Sequence, residues 1–104
     1  MHPSILEKRD QIAAACEAHH VARLDIFGSA ARGEDFDPAR SDADFLVDFT
    51  PDFSADPYLD LKESMERILG RPVDLLDRKA LETSRNYVRR RIILAEAEPV
   101  YVAR

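Results

Sequence analysis

The run Ser41-Asp42-Ala43-Asp44-Phe45-Leu46-Val47-Asp48-Phe49 constrains this chain more than any other segment. Its centre, Phe45-Leu46-Val47, is too apolar to lie wholly at a surface, yet acids enter the run at positions 42, 44 and 48. On an extended strand, residues i and i+2 face the same side with Cα atoms roughly 6.6 Å apart. Asp42 and Asp44 therefore present two carboxylates side by side, and these repel unless a cation lies between or beside them. Magnesium takes oxygen ligands, typically one or two carboxylates plus substrate phosphates. The bland alternative is a pair of solvated acids at a strand entry, and the apolar continuation counts against it. Asp44–Phe49 is expected to be a strand with a candidate metal site at its start.

The flanking segments supply a sheet and its helices. Ser4 followed by Glu7, beside Pro3, reads as a capping box opening a helix to about His19, with Ile5, Ile12, Ala13 and Cys16 on its buried stripe. Val21–Phe27 reads as a strand that stops at Gly28-Ser29, and residues 30–41 as a short helical turn and polar loop. A loop over Thr50–Pro57 leads to Asp56-Pro57, an N-cap and first-turn proline. Tyr58, Leu61, Met65 and Ile68 then fall at helical spacing up to Gly70, which suits a helix C-terminus. Pro72–Leu76 is a third strand, Asp77 a cap, Arg85–Ile93 a last helix, and Val100–Val102 a last strand. The order implies an α/β (α+β) fold, a small mixed sheet with helices packed on it, in one domain spanning residues 1–104.

Two further features point toward phosphate chemistry. A Gly-Ser pair between a strand and a helical turn brings backbone N–H groups close to a ligand, and the Ser29 hydroxyl adds a donor. Taken alone, Gly28-Ser29 is an ordinary turn. A two-metal site also needs a third carboxylate, because metals ~3.5–4 Å apart must be bridged and flanked by oxygens. Asp74, set in a strand between Val73 and Leu75, faces opposite to them and is the first candidate. Asp48 ranks second, and Asp77 is more simply a helix cap. Arg32 can reach a phosphate or pair with a nearby acid.

Composition narrows the classes. The net charge of -5 and pI near 5.1 argue against a surface built for nucleic-acid backbone. No apolar run approaches membrane-spanning length, the start shows no signal peptide, and the single Cys16 can form no internal disulfide, so a cytoplasmic protein is expected. There is no Gly-x-Gly-x-x-Gly, no P-loop and no Cys/His metal spacing. His19 and His20 suit a helix C-terminus. The Arg85, Arg89, Arg90 and Arg91 cluster reads as a solvated face, or as a contact for an acidic partner or for phosphates. Phe36, Phe53 and Tyr58 are packing residues, or less simply platforms for a base.

Gly28-Ser29, Ala31-Arg32-Gly33, Ser41-Asp42-x-Asp44 and Val73-Asp74-Leu75 together resemble the minimal nucleotidyltransferase (MNT) family, a branch of the DNA-polymerase-β-like superfamily. The resemblance covers nearly the whole chain. It implies a mixed-sheet fold and magnesium-dependent use of ATP, with two Mg2+ ions on Asp42, Asp44 and Asp74. Gly28 and Ser29 would hold triphosphate oxygens, with Arg32 as the further nucleotide-binding candidate, and Asp74 would activate the acceptor hydroxyl. It further implies an antitoxin that adenylylates a tyrosine of a HEPN-domain ribonuclease toxin; no Arg-x(4–6)-His pair of the toxin type is present. So short a chain lacks an appended substrate domain, which favours a protein acceptor over an aminoglycoside-type small molecule. The rival from another class is a non-catalytic antitoxin that neutralises its toxin by binding. Twelve residues separate Ser29 from Asp42, two more than is usual in the family.

Overall fold

The computed structural model describes residues 2–28, 31, 43–51 and 57–103. Helices α1 (Pro3–Leu6) and α2 (Arg9–Ala18) precede strands β1 (Val21–Phe27) and β2 (Ala43–Phe49). Helix α3 (Tyr58–Leu69), strand β3 (Val73–Asp77), helices α4 (Arg78–Glu82) and α5 (Tyr87–Glu96), and strand β4 (Glu98–Val102) complete the order. The sheet has four strands in the order β3-β2-β1-β4. β2 and β3 are parallel, while β1 is antiparallel to both β2 and β4. This is the mixed sheet with packed helices that the sequence implies.

Alternation of side chains across the strands divides the sheet into two faces. Leu24 and Ile26 of β1, Phe45 and Val47 of β2, and Val73 and Leu75 of β3 join the main core, against Ile5, Ile12 and Cys16 and the α3 residues Leu61 and Met65. The opposite face carries a smaller cluster of Phe27, Leu46, Leu81 and Ile93. Asp25, Asp44, Asp48 and Asp74 alternate with main-core residues and so belong to this second face. Burial pushes the Cys16 thiol up to about 12, so it stays protonated in the core. Among the described residues, no helix is long and apolar enough to cross a membrane.

Local capping departs from the sequence reading at the start. The expected single helix from Ser4 is two, interrupted at Glu7 and Lys8. The capping residue is His2: its Nδ1 accepts the Ser4 N–H at 3.1 Å and lies 2.8 Å from the Ser4 hydroxyl. Pro3 occupies the first helical turn, where its missing N–H costs nothing. Further on, Pro57, expected in the first helical turn, stands instead at the N-cap of α3, its carbonyl accepting the Leu61 N–H at 2.9 Å, while the expectations for Gly70 and Asp77 hold. Gly70 ends α3 in the left-handed region at φ 68°, and the Asp77 carboxylate accepts the Lys79 N–H at 2.9 Å to open α4. Asp56 lies outside the described residues.

One buried charge ties the second face together. Asp25 is 1% exposed and accepts two bonds from Arg23, at 2.7 and 3.0 Å, and one from Arg78 at 3.0 Å. Arg78 is 17% exposed and Arg23 43%, so the Arg78 contact is the better shielded and the Arg23 pair is discounted for screening. Deleting the carboxylate would leave a guanidinium largely shut away from water without its partner. Asp25→Ala is expected to cost roughly 3 kcal/mol and to lower Tm by about 10–20 °C. Thermal denaturation checks this, and a shift of a degree or two would show the network to be dispensable.

Candidate active site

Register sets the site. Phe27 stands opposite Asp44 in the antiparallel β1–β2 pair, and Asp44 stands opposite Asp74 in the parallel β2–β3 pair. With neighbouring strands ~4.8 Å apart, these residues form one row across three strands, at the end where β1 finishes and β2 and β3 begin. Both carboxyl-bearing residues lie on the second face. Asp44 is half-buried and Asp74 is exposed.

Gly28 follows directly after Phe27 in this row. Its φ is +73°, a conformation that side chains with a Cβ resist. A Cβ built there would fall 2.6 Å from Asp44 Oδ2. The glycine is therefore required twice, by its backbone angle and by the carboxylate that rests against it. The Ala31 N–H donates to the Gly28 carbonyl at 3.1 Å.

Phe27, Gly28, Asp44 and Asp74 form one wall of a cleft of about 460 Å³. Its other wall is α5, which contributes Asn86, Val88, Arg89, Ile92, Ile93 and Glu96. The Asn86 side chain accepts the Arg89 N–H at 3.1 Å and starts this helix. Arg90 donates to the carbonyls of Glu82 and Ser84 at 3.0 and 3.2 Å, which holds α5 against the preceding turn. The helix runs Tyr87–Glu96 rather than Arg85–Ile93 because Asn86 is its cap. The cleft thus sets the carboxylates of Asp44 and Asp74 against a helix wall of apolar side chains with Asn86, Arg89 and Glu96. Such an arrangement can hold a divalent cation and a polyanion near an apolar group.

Of the residues expected from sequence, the structure brings Gly28, Asp44 and Asp74 together. Ser29, Arg32 and Asp42 lie outside the described residues, as do Phe36 and Phe53. Among the described residues, no group of three His, Cys, Asp or Glu side chains is gathered for a metal. Asp48, the second choice for a third acid, is absent from the cleft and stands 3.9 Å from Lys79. Tyr58 donates its hydroxyl to the Leu75 carbonyl at 2.6 Å, and His19 Nε2 lies 3.2 Å from the Ser64 hydroxyl. The wall of α5 was not anticipated from sequence. Helical spacing puts Val88 and Ile92 on one face, but nothing local says that this face borders the acids.

The fold is that of a nucleotidyltransferase, and residues 8–98 match the family model described as nucleotidyltransferase domain. The candidate protein adenylyltransferase MJ1379 of Methanocaldococcus jannaschii is 37% identical over 102 residues, covering 94% of this chain and 91% of that protein. A solved structure of a candidate minimal nucleotidyltransferase aligns with a TM-score of 0.73 at 30% identity, covering 95% of this chain and 96% of that one. A structure of a tri-AMPylated Shewanella oneidensis HEPN toxin in complex with MNT antitoxin aligns with a TM-score of 0.61. At 14% identity, over 94% of this chain and 72% of that one, the last likeness is one of fold. The chain belongs to the minimal nucleotidyltransferase family and shares its fold with the antitoxin of that HEPN–MNT complex. Membership implies nucleotide- and metal-dependent chemistry.

Proposed function

We propose that this chain moves AMP from ATP to a tyrosine of a HEPN-domain toxin and silences the toxin by that modification. The observation that carries the proposal is the row of Gly28, Asp44 and Asp74 at the mouth of the cleft. The glycine leaves room beside Asp44 that a Cβ would fill, and the oxygen donors suit magnesium. Asp44 and Asp74, with Asp42, would hold the metal, which neutralises charge on the triphosphate when bound. Gly28, Ser29 and Arg32 would orient the phosphates. The acceptor oxygen attacks the α-phosphorus, its proton passes to the Asp74 carboxylate, and the bond to the β-phosphate breaks to release pyrophosphate. The MNT antitoxin seen with a tri-AMPylated HEPN toxin supports both the group transferred and the kind of partner.

Intact-mass spectrometry tests the reading. The chain, Mg-ATP and the HEPN-domain protein are mixed, and the partner is expected to gain adenylyl mass on a tyrosine. A partner that is neutralised without ever gaining that mass would make this chain an antitoxin by binding alone.

A further inference from the structure

Resting on the reading of a protein acceptor, we infer that the outer face of α5 is the surface on which the acceptor protein docks, the acceptor presenting apolar side chains framed by carboxylates. Four of the seven large apolar side chains exposed among the described residues sit on this ten-residue helix: Tyr87, Val88, Ile92 and Leu94. Tyr87, Arg91 and Leu94 follow at i, i+4 and i+7, a spacing that puts them on one stripe. Val88 and Ile92 stand between that stripe and the cleft, which they also line. A partner seated on the stripe is therefore led directly to the row of acids.

Charge chooses the occupant. The chain carries a net charge of -5, yet residues 85–92 hold four arginines and no acid. Arg85 and Arg91 carry this excess outward, both exposed and outside the cleft, whereas Arg89 lines the cleft and Arg90 is held by the preceding turn. A second copy paired face to face would set Arg91 against Arg91 across the two-fold axis, which disfavours self-association here. A nucleic-acid backbone would meet Tyr87 and Leu94 as well as the arginines, on a chain that is acidic overall. A protein surface with apolar side chains framed by Asp or Glu satisfies both components, and its charge would steer the encounter. Tyr and Arg are also the side chains that most often anchor such contacts.

The full chain and the HEPN-domain protein provide the test. Tyr87→Ala with Leu94→Ser, and separately Arg91→Glu, are each expected to weaken the complex by about tenfold or more. The Arg91→Glu loss should shrink at high salt, and Arg91→Lys should keep most of the affinity. Mg-ATP binding and the circular dichroism spectrum should match the parent's, because none of the three residues lines the cleft. If the α5 variants lose the complex but the parent transfers no AMP, the docking surface stands and the proposed reaction falls. Adenylylation and affinity that survive both variants overturn the docking surface and leave the reaction standing. So does a parent dimer that these variants dissociate, or a single-stranded RNA that only the parent binds, provided partner affinity is unchanged.

Discussion

Asp74→Asn is expected to lower the rate of AMP transfer by about 10²–10⁴-fold while Mg-ATP affinity changes modestly. The side chain is exposed at the start of β3 and stands beside Asp44 in the row. An amide keeps its shape but can neither take the acceptor's proton nor offer a charged oxygen. Asp44→Asn is expected to behave differently, removing metal-dependent nucleotide binding itself. Asp44 is half-buried against Gly28 at the centre of the row, between β1 and β3, where a cation would need its charge most. Calorimetry with and without magnesium, beside single-turnover transfer, separates the two roles. An unchanged rate in Asp74→Asn would remove that residue from the reaction.

Gly28→Ala should be nearly as damaging for a different reason. The left-handed backbone would cost an alanine about 1–2 kcal/mol, and the methyl group would press 2.6 Å from Asp44 Oδ2. The carboxylate must move, and a misplacement of about 1 Å can cost on the order of 10²-fold in rate. Gly70→Ala is the matched control. Its φ of +68° imposes a similar backbone cost, but nothing lies within 4 Å of the added methyl. Gly70→Ala should lose stability and keep activity, whereas Gly28→Ala should lose both. Equal activity losses in the two variants would show that strain, and not the displaced carboxylate, is responsible.

The sequence made the order of elements legible wherever a local rule decides it. Acids at i and i+2 before an apolar run mark β2, Gly70 ends α3, and Asp77 caps the next helix. Asp74 could be selected because an acid between Val73 and Leu75 must face away from them. The same reasoning applies to Asp25 between Leu24 and Ile26, but its meaning depends on Arg78, 53 residues away. The helix start was misread because Ser4 has the residue type of a cap, while Pro3 before it makes His2 the position that closes the turn. The α5 wall was hidden for a further reason: periodicity shows which side chains share a face, not which part of the sheet that face meets.

The pairing of Phe27 with Asp44 also bears on how such a protein can diversify. The ladder holds both ends of the intervening stretch, Phe27 and Asp44, at partnered positions. Gly28, Ser29, Arg32 and Asp42 belong to the proposed site, so freedom to vary falls to positions 34–40 between them. Doubling that span would add only about 0.6 kcal/mol of closure entropy, while the strand ladder keeps Asp44 beside Asp74. Selection for a new acceptor could therefore rewrite this stretch without rebuilding the chemistry beneath it.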